Sequence, residues 1–423
     1  MKKTFFLILL IVLFSTVSTL YSIRTLNCSL ANIDVLSFGI GFDFSKYMLL
    51  KNGALVLLDA REGPTVLANL NYSFPENFWY EFFVDENDVY IYGFSLTEEK
   101  ECFIGLFVFK DYSIVNGSFI SKEYGFRFCG NMLNGTAVSS AMAKNGYLVI
   151  RTVERERYRF YVLNIRKNFT AISVYGGTAA ITPYLLNDTI IAPIIVNNTP
   201  YMVDLVKGKK LYELPSLIPV ASLFSVQIQP FLVKSRWKVY ASSTYGTGRL
   251  YFYLTYPNST AIEKSPPASV HPLLHYMVLE YSDHSEIVFK DGETLKVNIG
   301  NLRALPLGSW VSVEYENAVL DVDINNHFAL VKTAKEGKAE IYVISKDFTK
   351  KIYELPLEIS FKENGFQAVI VGETVYIRDP VKGLITISLE EKPPNKLIMQ
   401  LAIVLIGALA IIAYIYFKRI KTK

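Results

Sequence analysis

Residues 201–215 read YMVDLVKGKKLYELP, and residues 342–356 read YVISKDFTKKIYELP. The offset is 141 positions, three times 47. A looser form, an apolar strand, a polar turn and a second apolar strand, recurs around Val56, Val108, Tyr161, Tyr201, Tyr253, Val297, Tyr342 and Ile385, at a mean spacing of 47. A fixed period of this length means that one supersecondary unit is repeated and that neighbouring copies bury each other's faces. Most copies are preceded by a further strand opened by a turn, at Asn87-Asp88, Asn145-Gly146, Asn187-Asp188, Asn325-Asn326 and Gly372-Glu373. Each unit therefore has room for four short strands.

The segments between the markers support strands throughout. Apolar runs rich in Tyr, Phe, Val and Ile are separated by Asn52-Gly53, Asn116-Gly117, Asn134-Gly135, Asn145-Gly146 and Asp291-Gly292, dipeptides that tight hairpins favour. No amphipathic helix of about twelve residues or more is evident. The expected class is all-β. Four-stranded units at this period have the look of propeller blades, so we expect a β-propeller of seven or eight four-stranded blades. Tandem β-sandwich domains are the alternative, but their strands need no such period. Ser265-Pro266-Pro267 is the one candidate break in the body, and a loop between blades accounts for it equally well.

The two ends read differently. Residues 397–417 are apolar except for Gln400. At 1.5 Å rise per residue such a helix spans the roughly 30 Å hydrocarbon core of a bilayer. Lys418, Arg419, Lys421 and Lys423 follow, which predicts a cytoplasmic tail over 418–423 and an extracellular body over 23–390. Residues 1–22 have the basic start, apolar centre and small polar exit of a signal peptide, the alternative being an uncleaved helix. The tether, 391–396, is short and holds two prolines, which keeps the body close to the lipid. The expected location is the plasma membrane, single-pass.

The formal charge of +4 is mostly topological. Lys2, Lys3 and the tail account for six positive charges, leaving the body near −2 and without a basic field for nucleic acid. Of three cysteines, Cys102 and Cys129 flank a segment that reads as strand–turn–strand, so a disulfide is expected between them, worth about 3 kcal/mol in the loop-entropy model. Cys28 is left over, and the Thr25-Leu26-Asn27 before it is a poor lipobox. Asn27, Asn71, Asn116, Asn134, Asn168, Asn187, Asn197 and Asn258 each open an N-x-Ser/Thr sequon, predicting a glycoprotein. Chance occurrence in Asn-rich turns is the competing reading. No sequon lies between Ser259 and Lys396, which suggests that this third of the body faces the membrane or a partner.

Chemical motifs are sparse. His271, His275 and His284 lie close in sequence, but Pro272 argues against a helix, and on a strand His271 and His275 would be roughly 13 Å apart, too far for one metal ion. Asp321-Val-Asp323-Ile-Asn325-Asn326 opens like a calcium loop, yet it has Asn326 where glycine is wanted and Lys332 where a carboxylate is wanted. A strand running into an Asn-Asn turn reads better. Catalytic, cofactor and metal residues are therefore assigned to none, and there is no G-x-S-x-G, H-E-x-x-H, phosphate loop or C-x-x-C. Trp79, Tyr80, Trp237 and Trp310 are available for sugar or peptide binding, although aromatics in such folds more often pack between blades.

The signal peptide, Tyr- and Val-rich repeat body, sequons and basic-flanked anchor together resemble archaeal surface propellers. Strands such as Tyr161-Val-Leu-Asn164 and Tyr342-Val-Ile-Ser345 are similar to the repeat strands of YVTN-type envelope propellers. The resemblance implies a binding, adhesion or envelope-scaffold module, with an envelope protein or polysaccharide as partner and no cofactor. A membrane-anchored ectoenzyme acting on glycans is one alternative. A sensor or accessory subunit, with Gln400 and Gly407 contacting a partner helix, is another.

Overall fold

A computed structural model describes residues 27–389 except 32, 42, 75–78, 97–101, 117–118, 121–125, 129–130, 134–136, 145, 155–156, 168–169, 178–179, 182–183, 186–189, 197–198, 214–226, 234–235, 244–249, 256–258, 263–268, 274–275, 306–316, 336–337, 357–365 and 380–381. Among the described residues the regular structure is strand, apart from one 3-10 turn at Ile165–Lys167. Contacts divide the chain into two units. The larger, Ser29–Thr386, holds the body of the sheets; the smaller comprises Met1–Cys28 with Ile387–Lys423. No helix among the described residues is long and apolar enough to cross a membrane. The expected signal segment, 1–22, and membrane span, 397–417, lie outside the described residues.

Eight antiparallel meanders follow one another along the described chain, at residues 35–69, 79–116, 137–177, 184–213, 227–262, 269–297, 317–356 and 367–388. The eighth has three strands of its own, and Asn27–Ala31 supplies its fourth. The first strands of the first two meanders, Val35–Gly41 and Trp79–Asp85, pair in parallel through Gly39 and Phe82, merging both into one sheet. The repeat markers map onto this series one to one. Seven occupy the third strand of a meander, and Val297 instead ends the fourth strand of the sixth, Thr294–Val297. The 141-residue offset is three meanders, from the fourth to the seventh. Three of the expected hairpin glycines, Gly53, Gly146 and Gly292, sit between paired strands with φ of 85°, 75° and 91°.

Side-chain alternation explains the long apolar runs. Tyr47 and Leu49 of the first meander pack with Phe82, Ile91, Phe107 and Phe109 of the second. The intervening Met48 packs the other way, with Val369, Val371 and Tyr376 of the eighth. Likewise Tyr90, Leu106 and Val108 of the second meet Leu148, Ile150 and Tyr161 of the third. A fourth cluster joins Val278, Ile287 and Phe289 of the sixth to Val319, Val322 and Val331 of the seventh. A strand buried on both faces needs apolar residues at every position, which is why a simple alternating pattern is missing from the sequence.

The outermost strands carry a recurrent irregularity. Leu67, Val115, Ile172, Leu211 and Ile352 are each an extra residue opposite a regular third strand, in the first, second, third, fourth and seventh meanders. Leu211 and Ile352 are 141 positions apart, so the bulge repeats with the sequence. Bulges twist and interrupt the hydrogen-bonding edge.

Candidate functional site

Strand direction puts the turn between strands one and two, and that between strands three and four, at the same end of a meander. At this end the first, seventh and eighth meanders surround a cleft of about 610 Å³. The first meander supplies Asp43, Phe44 and Ser45 from one turn and Asp59, Ala60 and Arg61 from the other. Ile324, Asn325 and Asn326 of the seventh form the opposite wall. The eighth turns back in only two residues, Val371 pairing with Thr374, so Gly372 lies low and the cleft opens above it. Gly372 has a φ of +58°, and a Cβ there would stand 2.9 Å from the Ala60 Cβ. Only glycine meets both demands.

Beneath the cleft is a buried polar lock. Lys46 Nζ donates to Asp321 Oδ2 at 2.5 Å, to the Val322 carbonyl at 2.7 Å and to the Ile370 carbonyl at 2.6 Å. All three ammonium protons are thereby used. Asp321 Oδ2 also accepts from Ile370 N at 2.8 Å, and Asp323 Oδ2 accepts from Gly372 N at 2.8 Å. One lysine thus joins the first, seventh and eighth meanders. Full burial pushes the Asp321 carboxyl above its usual range, while Lys46 and the Ile370 and Val322 N–H groups pull it back. The neighbouring junctions are tied in the same style. Arg378 Nε donates to the Val35 carbonyl at 2.6 Å, Gln367 Nε2 to Ser37 Oγ at 3.2 Å, and Ser37 Oγ to the Tyr80 carbonyl at 2.5 Å.

Above the lock, the Phe44 backbone is held at φ 75°, with Gly41 N donating to the Ser45 carbonyl at 2.7 Å and Phe44 N to the Gly41 carbonyl at 3.1 Å. Lys290 of the sixth meander lies over the Phe44 ring at 4.6 Å, a cation–π contact. The next residue, Asp291, meets His327 Nε2 of the seventh at 2.6 Å. Asp59 Oδ1 accepts from Arg61 N at 2.6 Å and Glu62 N at 2.8 Å. Those two backbone donors hold the Asp59 carboxyl below its usual range, keeping it ionised. Asp43 accepts from Ser45 N and, at 2.7 Å, from Ser45 Oγ. The cleft therefore offers fixed carboxylates, carboxamides and one aromatic ring on a rigid base.

The residues singled out from sequence fare differently. Asp321 and Asp323 end a buried strand, Asn317–Asp323, that runs into the Asn325-Asn326 turn, with their carboxylates committed to Lys46 and backbone N–H groups. His271 is half-buried on Ser269–Pro272 and meets Glu280 Oε2 at 3.2 Å, burial lowering its pKa against the pull of Glu280. His284 stacks on Tyr281 at 4.6 Å, and His275 lies outside the described residues. No metal-holding group occurs among the described residues. Tyr80 is fully buried in the core shared by the first two meanders. Asn71 is exposed with φ 48°, in the connection leaving the far end of the first meander. Asn27 and Asn116 lie on strands, and Asn134, Asn168, Asn187, Asn197 and Asn258 lie outside the described residues. So do Cys129, Trp310, Gln400 and Gly407, while Cys102 begins the strand Cys102–Lys110. Sequence reasoning missed Lys46, whose one signal was a lone lysine in step with Met48 on an otherwise apolar strand.

The chain is thus a nearly all-β protein of serial meanders. Solved structures similar to it include the β-propeller domain of the Trilobed protease from Pyrococcus furiosus, at 10% identity and a TM-score of 0.41, covering 76% of this chain and 98% of that one. Apo AztD from Citrobacter koseri is similar at 12% identity and a TM-score of 0.38, over 84% of this chain and 93% of that one. The WD40 domain of SCAP from fission yeast is similar at 11% and 0.33, over 86% and 99%. No family model matches the chain, and no curated protein matches it.

Proposed function

We propose that the eight meanders form an eight-bladed β-propeller and that it acts as a cell-surface binding or scaffold module. The observation that carries the binding reading is the cleft between the first, seventh and eighth meanders, built from polar turns over a locked, buried base. Turns on a rigid scaffold are where recognition residues concentrate. The body is held outside the cell by a span at 397–417, carries sugars at its sequons, and bridges Cys102 to Cys129. The sequon-free stretch from Ser259 to Lys396 takes in the sixth to eighth meanders, which supply two of the three walls of the cleft, so this sector is the contact face.

The test is cross-linking in native membranes followed by purification of the full chain. The readout compares wild type with His327→Thr, which creates a sequon at the exposed residue Asn325 on the wall of the cleft. A defined envelope component recovered with wild type and lost when Asn325 is glycosylated supports the contact face. Equal recovery with both chains refutes it.

A further inference from the structure

We propose that the cleft binds a neutral oligosaccharide, with the Phe44 ring as its platform and Asp43, Asp59, Asn325 and Asn326 as hydrogen-bonding partners. This rests on the binding-module reading and names the ligand class for its site. Charge is the first discriminator. Lys46, Asp321 and Asp323 are consumed by one another and by backbone groups, so they offer nothing to a ligand. What remains at the cleft is Asp43, Asp59 and Arg61, two negative groups and one positive. An anionic ligand meets the Asp43 and Asp59 carboxylates against the Arg61 guanidinium and the Lys290 ammonium over Phe44, so charge gives it no net attraction. A metal ion finds no group of three or more ligating side chains among the described residues.

Hydrogen-bond character is the second. Among the described residues, Asp59 Oδ2, the Asn325 and Asn326 side-chain amides and the Arg61 guanidinium make no hydrogen bond. Together they present acceptors, donors and groups that are both at once. A sugar hydroxyl also donates and accepts, and vicinal hydroxyls suit planar carboxylates and carboxamides two at a time. The ring of Phe44 matches the C–H face of a pyranose and is already pinned by its turn and by Lys290. A cleft of about 610 Å³ lies within the usual range of roughly 300–1,000 Å³ for small-ligand sites. Floor and walls are apolar where the polar tips are not, through Ile40, Leu58, Ile324 and Val371.

The experiment applies the purified full-length protein to an array of neutral, sialylated and sulfated oligosaccharides, with Lys- and Arg-rich peptides alongside. Hits are then titrated calorimetrically against Phe44→Ala, Asp59→Asn, Asn325→Ala and Lys346→Ala. Asp59→Asn keeps the Oδ1 acceptor of its turn, and Lys346 is exposed at a smaller, separate cleft, so it serves as the control. The expected result is a neutral glycan whose affinity falls at least tenfold in each of the first three variants and less than twofold in Lys346→Ala. Melting temperatures within about 2 °C of wild type exclude misfolding as the cause. Binding only to anionic glycans, or glycan binding indifferent to all three substitutions, overturns the proposal. Peptide binding lost in Phe44→Ala and Asp59→Asn overturns the sugar class while upholding the site. No binding to either class overturns the sugar proposal, and the Asn325 cross-linking experiment then decides the binding reading by itself.

Discussion

Replacing Lys46 with methionine removes a side chain that ties the first, seventh and eighth meanders together. Methionine fills most of the volume, so packing changes little and the electrostatic loss is isolated. Breaking a buried pair by removing one partner costs about 3–5 kcal/mol, because the remaining charge stays buried. Here the Val322 and Ile370 carbonyls also lose a donor, though Asp321 keeps its bond from Ile370 N. About 4 kcal/mol is a reasonable centre for the loss. At an unfolding entropy of about 2.1 cal/mol/K per residue over roughly 350 residues, this corresponds to about 5 °C in Tm. The loss also depends on pH. Burial already pushes the Asp321 carboxyl upward, and without Lys46 it rises further. A folded-state pKa above the unfolded value gives stability at low pH that is lost as pH rises through the folded pKa. Lys46→Met should therefore cost less at pH 5 than at pH 8. Urea denaturation followed by intrinsic fluorescence at both pH values measures this, and Lys46→Met/Asp321→Leu should recover most of the loss. A single-variant cost under about 1 kcal/mol, or a double variant as unstable as the sum of the singles, would refute the reasoning.

Other consequences are simpler to check. Gly372→Ala forces a Cβ against Ala60 at a left-handed φ and should lower stability by about 1–3 kcal/mol, read as a shift in urea midpoint. Lys332 is fully buried on Phe328–Lys335, and burial lowers its pKa to about 8. The unfolded chain therefore holds more protons between about pH 8 and 10.5, so stability should rise over that window. Lys332→Met should be more stable near pH 7, by up to about 3 kcal/mol, and should flatten the rise. Non-reducing peptide mapping should recover Cys102 and Cys129 in one linked fragment, with Cys28 outside it. A ladder of enzymatically removable glycans should lose one rung in Asn71→Gln.

The sequence displayed the repeat because most third strands carry an apolar run, as in Ala54–Asp59 and Thr199–Asp204, and a period of such runs survives inspection. It also displayed the hairpins at Gly53, Gly146 and Gly292, whose positive φ restricts the choice of residue. The cleft was illegible for the opposite reason. Asp43, Asp59 and Asn325 are ordinary turn residues, and nothing local separates a turn that walls a cavity from one in open water. Asp321 was further disguised by a bulge. Leu320 is an extra residue opposite Val331 and Leu330, so Asp321 does not share the face of Val319 that simple alternation assigns it. That shift turns a would-be surface or metal carboxylate toward Lys46. Markers Val56 to Ile385 fall one to each described meander, but Val297 stands one strand late, because the sixth meander lacks a comparable run in its third strand, Ser285–Phe289.

The extra residues at Leu67, Val115, Leu211 and their counterparts carry a consequence for life at high density. A run of unpaired peptide groups at regular spacing is a ruler against which another chain's strand can zip. Inserting one residue breaks that ruler after two or three graduations, so two rims brought together agree over only a few bonds before falling out of step. The exposed side chains of Leu67, Val115 and Leu211 then confer stickiness without growth. Copies that meet at high concentration would separate again, and fibrils would not be seeded from these strand edges.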